Sequence, residues 1–98
     1  MSYRVEITSE AEQQLRDVSV WWAEHRPAAR TTVKQAMEKL AEGLRQFPNA
    51  APKYRSREVR YAPLRGTPYY AFFRVDDDAR TVQVVAVWSV RRGGEPDL

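Results

Sequence analysis

The sequence predicts an α+β domain: one short N-terminal strand, an antiparallel helical hairpin, then a three-stranded antiparallel meander packed on the helices. Three observations carry that prediction. Two successive segments repeat apolar residues with helical four–three spacing, and a short Pro-containing link separates them. Further on, an aromatic run, Tyr69-Tyr70-Ala71-Phe72-Phe73-Arg74-Val75, passes through Asp76-Asp77-Asp78-Ala79-Arg80 into a Val-rich run, Thr81 to Val90, that ends in Arg91-Arg92. Aromatic and β-branched residues suit a pleated, partly buried surface and the Asp cluster supplies a turn, so this pair reads as a hairpin. Finally, two amphipathic helices alone leave a thin core, and a sheet completes it.

Each element has its own local signal. Tyr3, Val5 and Ile7 alternate with Arg4 and Glu6 as in a short half-buried strand. Ser9-Glu10-Ala11-Glu12 has capping-box spacing, which puts Ser9 at a helix N-cap. Ala11, Leu15, Val18 and Trp22 then share a narrow arc of that helix. Trp21 lies about 100° from Trp22, at the flank of the stripe, where it is only partly covered. His25-Arg26-Pro27 ends the helix, because proline disfavours helical geometry in the residue before it. His25 then suits the negative end of the helix dipole.

The second helix is expected to start near Pro27, with Val33, Met37, Leu40, Leu44 and Phe47 as its apolar stripe, Ala36 beside them, and Pro48-Asn49 as its stop. A polar loop holds Pro52, Lys53, Tyr54 and Arg55, and Glu58 to Leu64 reads as a strand that Pro63 ends or confines to an edge. Arg65-Gly66-Thr67-Pro68 turns the chain into the aromatic strand. There Tyr69, Ala71, Phe73 and Val75 share the helix-facing side, and Tyr70, Phe72 and Arg74 the other. By the same alternation Val82, Val84, Ala86, Trp88 and Val90 face the helices, and Gln83, Val85, Val87 and Ser89 face away. The outward face is then too apolar for comfortable exposure and calls for a cover.

Composition narrows the function classes. A chain of 98 residues reads as a single domain, here 1–98, with a core over 3–92 and a loose tail over 93–98. No run approaches the roughly 18 apolar residues of a membrane span, and no signal-peptide core opens the chain, so no membrane contact is expected. The chain has no cysteine, which removes disulfides, thiolate zinc sites and cysteine nucleophiles and makes a cytoplasmic location the expectation. The net charge of +3 is unevenly spread: Lys/Arg and Asp/Glu number seven each in residues 1–52, but nine and six in residues 53–98. The strand-rich half thus suits an anionic partner, nucleic acid or an acidic protein segment. Asp76-Asp77-Asp78 reads as a solvated turn rather than a metal site, since three consecutive acids point apart. Neither metal nor cofactor is expected, and no phosphate-cradling glycine loop or catalytic triad is present.

The order and spacing of these pieces resemble the RelE/ParE family of toxins from bacterial type II toxin–antitoxin modules. The resemblance is carried by Tyr3-Arg4-Val5-Glu6-Ile7-Thr8, Ala11, Leu15, Trp22, Leu44, Phe47-Pro48, Val59-Arg60, Tyr69 to Val75, and Val84-Val85-Ala86-Val87-Trp88 running into Arg91-Arg92. It implies a toxin held inactive by a cognate antitoxin, ParD-like or RelB-like, that alone contacts operator DNA. RelE-like members cleave mRNA on the ribosome, which takes groups to move protons and cations to stabilise the phosphorane. They usually place an arginine where the third strand begins, and many carry a histidine near the end of the last strand. Here Tyr70 and Ser89 stand at those places.

ParE-like members poison DNA gyrase, and Tyr70-Ala71-Phe72 fits their tyrosine–aliphatic–aromatic pattern better. The resemblance therefore points to a ParE-like gyrase poison, with Trp88, Ser89, Arg91 and Arg92 as target contacts. It gives Trp21, Arg55, Arg57, Arg60, Tyr70, Phe72 and Arg74 as antitoxin contacts. The alternative is a RelE-like nuclease whose cationic site is Arg60, Arg74, Arg91 and Arg92. A more distant one is an RNA-binding adaptor that presents Tyr70 and Phe72 from its sheet.

Overall fold

The computed structural model describes residues 2–55, 58–89, 91, 96 and 98. Its elements run β1 (Arg4–Ile7), α1 (Ser9–His25), α2 (Thr32–Gln46), β2 (Arg60–Pro63), β3 (Tyr69–Asp76) and β4 (Thr81–Ser89), with 3₁₀ turns at Pro27–Ala29 and Pro48–Ala50. Both 3₁₀ turns open on a proline, whose fixed φ suits a first turn and whose missing N–H is not needed there. The first proline thus starts its own short turn, and α2 begins at Thr32. At α1 the cap is Thr8 and not Ser9: the Thr8 hydroxyl accepts from the Ala11 N–H at 3.2 Å. Both residues have the right side chain for a cap. Thr8 is chosen because its backbone is still extended, continuing β1, with its N–H donated to the Val84 carbonyl of β4.

The four strands form one mixed sheet in the order β1-β4-β3-β2. β2, β3 and β4 make the antiparallel meander, whereas β1 lies parallel to β4, with Val5 opposite Val82 and Ile7 opposite Val84. β1 is too short to cover all of β4, so β4's edge is bare beyond Val84. Gln14 of α1 reaches over that edge and accepts the Val87 N–H at 2.7 Å, which satisfies that donor. At the other edge Pro63 ends β2, as its missing N–H requires. A bridge from Lys53 to Arg60 blunts that edge further.

Between sheet and helices lies the main core: Ala11, Ala36, Met37, Leu44, Leu64, Ala71, Phe73, Val82, Val84 and Val87, flanked by Tyr3, Val5, Leu15, Leu40 and Val75. Phe47 departs from the sequence expectation. It is 70% exposed, because α2 ends at Gln46 and Phe47 takes up φ −135°, ψ 58° as its C-cap, which turns the side chain out of the stripe.

The alternation of β4 also departs from expectation. Pairing with β3 jumps from Phe72 opposite Ala86 to Phe73 opposite Val84, so Val85 is an extra residue without a partner, a β-bulge. An extra residue inverts the alternation beyond it. Val87 therefore joins the helix-side core, while Ala86 and Trp88 fall on the outer face, the reverse of strict alternation. Val90, the last residue of that expected pattern, lies outside the described residues.

The outer face carries a second cluster, Val59, Phe72 and Ala86, with Tyr54, Tyr61, Tyr70, Val85, Trp88 and Leu98 against it. Much of the cover this face calls for comes from the chain itself, through the loop after α2. Within the tail read over 93–98, Pro96 is buried and Leu98 packs on this cluster, while 93–95 and 97 lie outside the described residues.

Candidate functional site

The register divides the outer face into two zones. At the Tyr69/Ser89 end stand aromatic rings: Tyr61 stacks on Tyr70 with centroids 5.5 Å apart and planes 15° apart, and Tyr54 meets Phe72 edge-on at 5.1 Å. At the β3–β4 turn the face is polar. Arg74 pairs with Gln83, which pairs with Glu6, and Asp76 pairs with Thr81, which pairs with Arg4. These rows floor an open groove of about 940 Å³, to which Asn49, Lys53, Glu58 and Arg60 are added from the loop and from β2. Pleat and parallel pairing together produce the zone, since Arg4, Glu6, Arg74, Asp76, Thr81 and Gln83 alternate with core residues on three strands.

The groove has mixed charge. Arg4, Lys53, Arg60 and Arg74 line it together with Glu6, Glu58, Asp76, Asp77 and Asp78. Arg4 and Glu6 face each other at 3.6 Å, and the Arg60 guanidinium donates to the Ala51 carbonyl. Asp77 is a latch at the rim: its carboxylate accepts from the Tyr3 hydroxyl at 2.6 Å and from the Asn49 amide at 2.9 Å. The Tyr3 hydrogen bond, then the Asn49 one, hold the Asp77 carboxyl below its ordinary value, and the bond to Asp77 raises the Tyr3 phenol. Asp76 accepts from the Ala79 N–H at 3.0 Å and so closes the turn. Among the described residues no cluster of His, Asp and Glu has the makings of a metal site.

The sites expected from sequence fall in separate places. Arg60 and Arg74 meet in the groove. Tyr70, Phe72 and Trp88 belong to the aromatic zone, where Phe72 is 5% exposed. Ser89 ends β4, its hydroxyl accepting the N–H of the exposed Arg91 at 3.2 Å. Arg55, with φ 49°, lays its guanidinium over Tyr54 at 5.4 Å. Trp21 lies in the helix layer, 45% exposed, stacked on His25 at 4.4 Å. Arg57 and Arg92 lie outside the described residues. The sole histidine is also in the helix layer, its Nδ1 2.9 Å from the Trp21 carbonyl. That end of α1 reaches β3 where the Trp22 indole N–H donates to the Tyr69 hydroxyl at 3.1 Å. Sequence reasoning passed over Arg4, Asn49, Lys53, Asp77 and Gln83 as groove residues. Only Arg4 and Gln83 had a signal, their outward parity on their strands.

The aromatic third strand, the absent histidine near the groove and the strand order bear on family. The sequence matches the ParE toxin of the type II toxin–antitoxin system parDE over residues 5–93. The chain belongs to the ParE toxin family. It is thus the toxin component of a type II system, and the fold agrees. The chromosomal ParDE system of P. aeruginosa superimposes with a TM-score of 0.75 at 20% identity, covering 90% of this chain and 96% of that one. A mutant of the E. coli toxin RelE in the free state gives 0.69 at 21% identity, covering 91% and 84%. The RelBE2 toxin–antitoxin complex of Mycobacterium tuberculosis gives 0.64 at 22%, covering 91% and 99%. ParE and RelE toxins share this architecture, so the fold does not separate their chemistries. No curated protein matches the chain in sequence.

Proposed function

We propose that this ParE-family chain is a cytoplasmic toxin that poisons DNA gyrase through a binding surface, and that a co-encoded ParD-like antitoxin neutralises it. The observation that carries the reading is Tyr70. It stands where a RelE-like nuclease would present an arginine, and it stacks on Tyr61 within a packed aromatic cluster. Ser89, at the place of the expected histidine, accepts a backbone N–H. General acid–base help is worth roughly 100- to 10,000-fold per group, so a nuclease lacking both roles is slow. The groove adds to this: five acids beside four cations focus little positive potential on a phosphorane. A poison needs only a surface, and Trp88, Ser89, Arg91 and Arg92 supply it.

The antitoxin reaches Trp21, Arg55, Arg57, Arg60, Tyr70 and Arg74, with Phe72 met only at its edge. Its rim charges speed encounter and its apolar anchors lengthen the complex's life. The test sets purified toxin with gyrase and DNA beside a ribosome-dependent mRNA cleavage assay. Trapped gyrase–DNA cleavage complexes and lost supercoiling are expected. Codon-positioned mRNA cuts with untouched gyrase would overturn the proposal and make Arg60, Arg74, Arg91 and Arg92 the catalytic candidates.

A further inference from the structure

β1 ends the sheet on the side away from β2, so one of its edges has no neighbouring strand. The Arg4 and Thr8 N–H groups bond to the Arg80 and Val84 carbonyls on the β4 side. Alternation therefore turns the backbone groups of Tyr3, Val5 and Ile7 away from β4. The Tyr3 N–H is taken by the Arg45 carbonyl at 2.7 Å, whereas among the described residues no bond is made to the Val5 or Ile7 N–H. Arg4 and Glu6 are exposed, and Ile7 is 38% exposed. Such an edge offers open donors and acceptors to another strand. The β2 edge does not, being closed by Pro63 and the Lys53–Arg60 bridge.

The order of residues names the occupant, because Tyr3-Arg4-Val5-Glu6-Ile7 is complementary to its own reverse. Antiparallel pairing about Val5 sets Val5 opposite Val5 of a second copy, and Arg4 opposite Glu6 and Tyr3 opposite Ile7, each twice. Backbone parity agrees. Val5 turns both its N–H and its carbonyl outward, as a hydrogen-bonded pair on a two-fold axis requires, and each Ile7 N–H meets the outward Tyr3 carbonyl across the axis. Arg4 and Glu6 then occupy the non-hydrogen-bonded pairs, where Cα atoms are about 4.5 Å apart and side chains lie closest. Within one chain these two already touch at 3.6 Å, so the axis gathers four charges of alternating sign. The neighbouring registers that parity allows put Arg4 on Arg4 or Glu6 on Glu6, and like charges reject both. We propose that β1 pairs antiparallel with β1 of a second copy of this chain, joining the two sheets across a two-fold axis at Val5.

The test is sedimentation equilibrium of the full chain without antitoxin. The parent should dimerise, more weakly as salt screens the four charges. Arg4→Glu and Glu6→Arg should each weaken the dimer at least tenfold, since either makes both pairs like-charged. Mixed together, the two single variants should form a heterodimer, because the acids of one then face the arginines of the other. Arg4→Glu with Glu6→Arg in one chain should restore the parent's affinity. Both side chains lie outside the core, so Tm should hold in every variant; should a single reversal lower it, the doubly substituted chain decides. A parent that is monomeric at about 0.2 mM overturns the proposal. A dimer that neither reversal weakens, or single variants that fail to pair on mixing, place the contact elsewhere and also overturn it. A monomeric parent whose antitoxin affinity falls in both single variants gives the edge to an antitoxin strand instead. None of these outcomes bears on the gyrase reading, which the supercoiling assay decides by itself.

Discussion

Asp77 shows how much one exposed side chain can organise. It ties the β3–β4 turn both to Tyr3, just before β1, and to Asn49 in the 3₁₀ turn after α2. Its carboxyl is depressed, so the latch contributes fully above the ordinary value of 3.8 and is lost as pH falls through the folded value. Tyr3 is raised, so its share is present below 10.0 and lost as pH climbs through its raised value. Asp77→Ala should therefore melt slightly below the parent at neutral pH, and the gap should close at both extremes. Thermal melts across pH measure this, and a gap constant from acid to neutral pH would contradict it. Thr8→Ala should cost about 0.5–2 kcal/mol by removing the α1 cap. Ser9→Ala should cost far less, and urea unfolding of the two variants separates them.

At the scale of elements, the bulge at Val85 decides which half of β4 faces which core. Deleting Val85 would remove the extra residue and leave Val84 opposite Phe73 and Ala86 opposite Phe72, so Val87 stays under the helices and Trp88 stays on the outer face. We expect the deletion, like Val85→Ala, to keep cooperative unfolding and near-UV dichroism, and loss of either in the deletion alone would show that the bulge does more than set the facing of late β4. Phe73 is fully buried in the adjoining strand, and Phe73→Ala should cost about 3–5 kcal/mol in urea unfolding. The helices obey local rules more simply. Ala11 and Trp22 of α1, and Val33, Met37 and Leu44 of α2, are buried as their spacing requires.

For the whole molecule, the parallel seat of β1 beside β4 has the largest consequence. It places Arg4 and Glu6 in line with Gln83 and Arg74 and so builds the mixed-charge groove from three distant segments. A groove balanced in this way fits the proposed gyrase poison. Expressed alone the chain should stop growth, and co-expressed antitoxin should restore it. Arg91→Ala with Arg92→Ala should abolish toxicity while antitoxin affinity stays within threefold, read by growth curves and by titration. Toxicity retained in that double variant would move the target contact elsewhere.

The sequence by itself determined what depends on near neighbours: two amphipathic helices with proline stops, the turn at Gly66, the edge position of Pro63 and the inward faces of β3 and early β4. It also determined the family, because the order of those elements and the aromatic third strand can be read without coordinates. The tertiary structure alone decided the parallel pairing of β1, the bulge that inverts late β4, the turning out of Phe47, and the meeting of Arg60 and Arg74 with Arg4 and Lys53. Each of these depends on strand register and chain reversal between segments tens of residues apart. Local spacing carries no term for either.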